Sequence, residues 1–234
     1  MGKRNKQKEP SFADMLRELT ASKGTMPKVD EREERKYFLI VSEGIRTEPN
    51  YFKYLAGMLP RHLIETVSVK GAGDNTVNVV RKAIAMRNER LKNPELPKFD
   101  EVWAVYDKDD FPDKNFHEAI ALAQREEIES AHSNQSFELW YILHFEFLQS
   151  ALHRSDYIAK LSDYLGVEYQ KNSVALIKRI HTEGNVDRAL SWAYELEQLH
   201  KGRLPSRSCP YTRVYILVDR LIAYIRNEAT RYGK

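Results

Sequence analysis

The chain contains a single cysteine, Cys209, among its 234 residues. One cysteine excludes an internal disulfide framework and a cysteine-rich zinc site, and it is typical of proteins of the reducing cytoplasm. No apolar run approaches the roughly 18 residues that a membrane span requires. The N-terminal stretch MGKRNKQKEP is basic but leads into no apolar segment, so it lacks the pattern of a signal peptide. These absences predict a cytoplasmic protein with no membrane contact.

An excess of charge of one sign is also lacking, since 37 lysines and arginines face 34 aspartates and glutamates. The formal net charge of +3 excludes a polycation, so any affinity for nucleic acid must come from local patches. Hydrophobic residues make up 42% of the chain and charged residues 30%, which is ordinary for a globular protein. The length suits one substantial domain, or a domain with a sub-domain.

Short apolar runs alternate with segments of helical periodicity over the first part of the chain. The runs KYFLIVSEG, IETVSVK and DEVWAVYD predict buried strands. Helices are predicted between them and over KNFHEAIALAQREEIESAH, where Asn115 and Glu118 could form a capping box, while SNQS is predicted to be a loop. The segment GAGDN lacks the Lys-Ser/Thr pair of a P-loop, and its glycines predict a turn between a strand and a helix. The alternation predicts an α/β fold with a mostly parallel sheet flanked by helices.

The same patterns divide the chain into three parts. Residues 1–35 are predicted to be a flexible or peripheral segment, and residues 36–149 an α/β core. Residues 150–234 are helical in pattern, with no clear strand, and are predicted to pack on the core as an extension. Near the end of the chain, bases that include Arg207 and Arg213 alternate with tyrosines. Basic side chains among tyrosines can bind RNA or single-stranded DNA through phosphate contacts and stacking, but tyrosines also commonly pack helices together.

Carboxylates follow two of the predicted strands. Glu43 ends the first strand, and Asp107, followed by Asp109, ends the third. Because functional residues of open parallel sheets gather beyond the carboxyl ends of the strands, these side chains could converge, and Glu48 could reach the same place. Clustered carboxylates suit Mg²⁺ in phosphate chemistry. Aspartate after a strand also forms turns, and Lys108 could neutralise a solvated loop, so the spacing leaves both interpretations open.

The segment SNQSFELWYILHF admits two interpretations as well. A helix N-terminus near Asn134 could bind a phosphate, and a plain helix cap, with Glu138 complementing the helix dipole, explains the pattern equally well. Trp140, Tyr141 and the other large apolar residues are predicted to be core. His144 among them is predicted to be a hydrogen-bonded buried histidine.

Three blocks of the sequence resemble, in order, those of the RloB-like family, whose core is similar to a Toprim domain. The blocks are VSEGIRTEPNYF, VWAVYDKDDF and SNQSFELWYILHF, and the likeness covers about residues 36–147. SCPYTRVYILVDRLI carries a fainter likeness. The resemblance implies a Toprim-like (Rossmann-like) fold in which Glu43 is the acid/base and, with Asp107 and Asp109, a catalytic ligand of Mg²⁺ or Mn²⁺. Glu48 and Glu138 lie in the same blocks and are further candidate metal ligands.

The resemblance also implies a function. It predicts a metal-dependent Toprim nuclease, a phosphodiester hydrolase, that acts on RNA, tRNA or DNA in bacterial antiviral defence by abortive infection, with an ATPase partner. Ile45, Gln135 and Ser208–Cys209 depart from the family pattern, which puts loop geometry in doubt but removes no carboxylate. The candidate nucleic-acid contacts are Arg46, Lys108, Asn134, Arg207 and Arg213.

Two other functions stay open. The alternative is a non-catalytic Toprim-like subunit that binds or senses nucleic acid in a defence complex. A phosphatase or receiver domain ranks third, because Phe111 stands where the nucleophile loop of a haloacid-dehalogenase phosphatase has threonine or valine. The sequence leaves open the nucleic acid recognised, the trigger, the partner's identity and whether the chain forms a homo-oligomer.

Overall fold

The computed structural model describes residues 35–64, 67–72, 75–110 and 112–232. The predicted peripheral segment, residues 1–35, lies outside these ranges except for its last residue. Five strands form one sheet in the order β2-β1-β3-β4-β5. The first four are parallel and β5 is antiparallel to β4, which confirms the predicted α/β fold with a mostly parallel sheet. The strands are β1 (Phe38–Ser42), β2 (Val67–Gly71), β3 (Glu101–Asp107), β4 (Glu129–Asn134) and β5 (Tyr211–Thr212).

Helices cover both faces of the sheet. Among the described residues none of them combines the length and the apolar character that a membrane crossing needs. A 3-10 turn, Pro205–Arg207, precedes β5. The α-helices are α1 (Thr47–Ala56), α2 (Thr76–Leu91), α3 (Asp113–Arg125), α4 (Glu138–Ile142), α5 (Arg154–Leu165), α6 (Val174–Glu183), α7 (Val186–Leu199) and α8 (Val214–Tyr232).

Alternate residues of β1 enter two separate cores. Leu39 and Val41 pack in a cluster with α2 and α3. Phe38 and Ile40 point to the other face and join a larger cluster with α1 and α4 to α8. Successive side chains of a strand point to opposite faces, and a parallel strand covered on both faces is apolar throughout, which is why FLIVS is buried at every position.

The helix predicted over residues 114–132 is wrong in its second half. Helix α3 ends at Arg125, the chain reverses with Glu127 at φ 54°, and β4 begins at Glu129. The predicted capping box is also wrong, because the N-cap residue is Pro112 and no side chain caps the helix. The first two residues of SNQS, predicted to be a loop, belong to β4.

The late part of the chain is not purely helical, contrary to prediction. Strand β5 pairs with the end of β4, Thr212 opposite Ser133 and Tyr211 opposite Asn134. The Ser133 and Thr212 hydroxyls are 2.9 Å apart and share a hydrogen bond. The segment after residue 150 therefore completes the sheet. The division into a core and an extension stays a prediction.

Candidate functional site

The carboxyl ends of β1 and β3 lie side by side. The Glu43 amide donates to the Val105 carbonyl at 2.9 Å, which extends the pairing of these strands by one step. The Asp107 amide donates to Glu43 Oε2 at 3.2 Å. Asp107 Oδ2 in turn accepts a hydrogen bond from the Phe137 amide at 3.0 Å, just before α4. Backbone amides therefore fix both strand-end carboxylates. The amide that holds Asp107 belongs to the helix N-terminus for which a phosphate site and a plain cap were both open.

Glu48 lies in the first turn of α1 and is buried. Its carboxylate folds back over Gly44, so closely that a Cβ at residue 44 would collide with it. The missing side chain of Gly44 is therefore what lets Glu48 lie next to the end of β1.

Glu138, the first residue of α4, is buried as well, with a side chain that is 3% exposed. Its Oε1 pairs with the Lys171 ammonium at 3.2 Å. Lys171 lies in the connection between α5 and α6, a part of the chain with no predicted role in the site. The ion pair thus joins the sequence block SNQSFELWYILHF to a distant segment.

Four carboxylates lie close to one another beyond the carboxyl ends of these strands. Burial raises the pKa of Asp107 well above its usual value, and the charges of Glu48, Glu138 and Glu43 raise it further. Burial also raises the pKa of Glu48, with a contribution from Glu138, while Lys171 acts in the opposite direction. We call Glu43, Glu48, Asp107 and Glu138 the acidic cluster. Repulsion within it favours protonation unless a cation lies nearby.

Asp109 is held by an ion pair outside the contacts described for the acidic cluster. It adopts a left-handed backbone conformation with φ 49° and forms an ion pair with Arg154 at the start of α5. Arg154 also binds Asp110, at 2.6 Å. The second aspartate of the DKD motif is therefore engaged by a helix of the late segment.

The donor chemistry of the acidic cluster fits a hard divalent cation, because carboxylate oxygens are the ligands that Mg²⁺ and Mn²⁺ prefer. The fully buried Tyr141 hydroxyl has no hydrogen-bond partner among the described residues, and the nearby charges of Glu138 and Glu48 contribute to raising its pKa. The described part of the chain nevertheless contains no group of three or more His, Cys, Asp or Glu side chains arranged to hold a metal ion. The ligand types fit, and the side chains would have to turn to surround an ion.

The candidate nucleic-acid contacts lie in different environments. Arg46 and Arg207 are exposed. Lys108 Nζ lies 3.2 Å from Asp113, and Arg213 Nε lies 3.4 Å from Glu197, so protein carboxylates already engage these two cations. Contact with nucleic acid stays a prediction for all of them.

Asn134, a candidate nucleic-acid contact, also makes hydrogen bonds within the protein. The side chain is buried, and its Nδ2 donates to the carbonyls of Pro205 at 3.1 Å and Ser206 at 3.0 Å. Its amide therefore holds the turn before β5 against the end of β4.

Three residues near the candidate site were not identified in the sequence. Lys171 neutralises Glu138, Arg154 binds Asp109, and the Tyr169 ring lies 6.2 Å from that of Tyr141, next to Glu138. All three come from the segment after residue 150, in stretches with no motif. Only the fold brings them to the carboxylates.

These features define an α/β protein with a buried acidic cluster beyond the carboxyl ends of two adjacent parallel strands. A family model described as RloB-like protein matches residues 38–221, which is most of the chain. The chain belongs to the RloB-like protein family, as the sequence blocks predicted. No significant match was found among curated proteins or among solved structures. The likeness to Toprim domains stays a prediction.

Proposed function

We propose that this protein is a nuclease, a Mg²⁺- or Mn²⁺-dependent phosphodiesterase of the Toprim type that acts on RNA, tRNA or DNA. The observation that carries the proposal is the acidic cluster, in which burial and like charge raise the pKa values of Asp107 and Glu48. Buried like charges destabilise a protein, and such clusters are typical of functional sites. The role in bacterial antiviral defence and the ATPase partner rest on the family resemblance alone.

The residues of the cluster have distinct tasks in this proposal. Asp107, Glu48 and Glu138 would hold the ion together with Glu43. The bound cation would polarise a phosphoryl oxygen and lower the pKa of a water molecule. Glu43, held at the end of β1 by the Asp107 amide, would accept a proton from the attacking water. Asp107 is oriented by the Phe137 amide before any ligand arrives.

Cleavage assays with matched variants test the proposal. Purified protein is incubated with total tRNA, single-stranded RNA or plasmid DNA in Mg²⁺ or Mn²⁺. We expect cleavage by the wild type and its loss with chelator, and a decrease of at least about 100-fold in Glu43→Gln and Asp107→Asn. Asp219→Asn, an exposed aspartate on α8, is the control and should cleave normally. Metal-dependent cleavage that persists in both cluster variants would contradict the assigned site.

A non-catalytic subunit that binds or senses nucleic acid is the second candidate. The ion pair between Asp109 and Arg154 favours it, because that pair withholds one of the predicted metal ligands from the cluster. This candidate predicts oligonucleotide binding without turnover, and binding that Glu43→Gln leaves unchanged. The cleavage assay therefore separates the two functions.

A further inference from the structure

The connection between α5 and α6, residues 166–173, is held against the same helix that supplies Glu48. Gly166 ends α5 in a left-handed conformation, φ 61°, and turns the chain back. The Thr47 hydroxyl donates to the Lys171 carbonyl at 3.1 Å, and Asn50 Nδ2 to the Asn172 carbonyl at 3.4 Å. These bonds join residues more than a hundred positions apart and place the connection beside the acidic cluster.

Lys171 is the cation that this connection brings to the cluster. Its ammonium lies 3.2 Å from Glu138 Oε1, and its charge also acts on Glu48. The lysine side chain is 54% exposed, whereas the Glu138 side chain is 3% exposed. The ion pair therefore links a buried carboxylate to a positive charge that faces solvent.

An anionic substrate needs such a charge at this place. A phosphodiester is repelled by four carboxylates, and a divalent cation would be largely occupied in neutralising them. A lysine ammonium has three hydrogens to donate, so one contact with Glu138 leaves donors for phosphate oxygens. Lysine is a common phosphate-binding residue, acting as a point charge.

We propose that Lys171 binds a non-bridging oxygen of the phosphodiester that reaches the acidic cluster, so that the segment after residue 150 completes the substrate site. Tyr169, two residues before Lys171, anchors the connection, since its ring packs on Tyr141 and its amide donates to the Ser162 hydroxyl at 2.9 Å. The inference rests on the proposed function in that it takes a phosphodiester as the ligand.

The test measures binding rather than cleavage. Fluorescence anisotropy follows a short labelled single-stranded RNA or DNA oligonucleotide on full-length protein in a Glu43→Gln background, over a range of salt concentrations. We expect Lys171→Gln to weaken binding about tenfold and to reduce the salt slope by about one, because one phosphate contact is lost. Lys171→Arg should retain most of the affinity.

Two controls isolate the position from the charge. Lys178→Gln removes the same charge from an exposed position on α6 and should change affinity less than about twofold. Lys171→Met retains the aliphatic stem and should reproduce the Lys171→Gln result. Equal effects of Lys171→Gln and Lys178→Gln, unchanged binding by Lys171→Gln, or no binding by any variant would each overturn the inference. A Lys171 effect in a protein whose wild type cleaves nothing would favour the non-catalytic subunit over the nuclease and leave this inference standing.

Discussion

Gly44 and Glu48 show how the absence of one side chain sets the position of another. Glu48 folds back over the backbone of Gly44 beside the end of β1, in space that any other residue would occupy. The φ of Gly44 is not in the left-handed region, so its backbone conformation does not require glycine. Glycine is required because the Glu48 carboxylate lies against its backbone.

Replacement of Gly44 by alanine should therefore disturb both stability and the cluster. We expect Gly44→Ala to lower the free energy of unfolding by about 1–3 kcal/mol, because Glu48 must move out of a packed position. Urea denaturation measures it. Gly57→Ala is the control, since a Cβ there would lie 3.3 Å from two helix carbonyls, and it should change stability by less than about 1 kcal/mol. Equal losses in the two variants would contradict the steric explanation.

We expect the charge of Asp107 to destabilise the fold that holds it. Its raised pKa means that the charged form is penalised in the folded state at neutral pH. We expect Asp107→Asn to raise the free energy of unfolding by about 1 kcal/mol or more in metal-free buffer, while abolishing cleavage. Asp219→Asn should leave both unchanged. A destabilised Asp107→Asn would show that its ionised carboxylate stabilises the fold.

Protonation of the buried His144 should lower the free energy of unfolding in acid. His144 is buried, its Nδ1–H donates to the Trp140 carbonyl at 2.9 Å, and burial lowers its pKa to about 4. Its contribution is fully present above the unfolded pKa of about 6.5 and is lost as pH falls towards 4, by about 1.4 kcal/mol per pH unit. The raised pKa of Asp107 acts in the opposite direction, so the comparison must be made between variants.

Urea denaturation between neutral pH and the acid range makes that comparison. His144→Gln should flatten the acid side of the stability profile relative to the wild type. His62→Gln, at an exposed histidine, should not. Parallel profiles for His144→Gln and the wild type would show that His144 is not the group responsible.

At the scale of elements, Arg154 at the start of α5 would compete with a metal ion for the aspartates that follow β3. Arg154 binds Asp109 and Asp110, so a cation that recruits Asp109 must first displace the guanidinium. The Arg154 side chain is 37% exposed, and such pairs contribute about 0.2–1 kcal/mol.

Removal of Arg154 should therefore favour metal binding if Asp109 is a ligand. We expect Arg154→Gln to lower the Mg²⁺ concentration for half-maximal thermal stabilisation by about two- to fivefold. Arg179→Gln breaks an exposed pair with Glu183 on α6 and is the charge-matched control. An unchanged Mg²⁺ midpoint in Arg154→Gln would exclude Asp109 as a ligand that this pair withholds.

Strand β4 shows why the sequence predicted some elements and not others. β1 and β3 were predicted because their apolar residues fill both cores. β4 reads ESAHSN, which has no such pattern, and several of its polar side chains are buried through tertiary hydrogen bonds. Ser130 binds the Tyr106 hydroxyl at 2.6 Å and His132 Nδ1 at 2.8 Å, contacts that no local pattern shows.

The sequence also predicted part of the candidate site, namely the four carboxylates, and not the residues that pair with them. Glu43, Glu48, Asp107 and Glu138 lie close to strand ends or helix starts that the sequence marks, and they come together. Asp109 follows the same strand, but its ion-pair partner, Arg154, lies 45 positions later in a segment with no motif. Lys171 was missed for the same reason, since only tertiary contacts place it.

At the scale of the whole molecule, one hydrophobic cluster spans both of the predicted parts. Ile40 and Trp140 share it with Leu161, Ile180 and Leu221 of the late helices. We therefore expect a fragment of residues 36–149 to lack a cooperative thermal transition, whereas the full chain melts in a single one. Circular dichroism and calorimetry measure both. A cooperative fragment would show that residues 36–149 fold independently.

The pairing of β4 with β5 also sets an order of events during synthesis. The ribosome delivers β4 long before Tyr211 and Thr212, with residues 135–210 in between. Until those two residues emerge, the nascent sheet has an unpaired strand along one side, the kind of edge at which chains join their neighbours. The last strand to be translated therefore covers the carboxyl end of that edge, at Ser133 and Asn134, where an unfinished copy would otherwise be open to pairing.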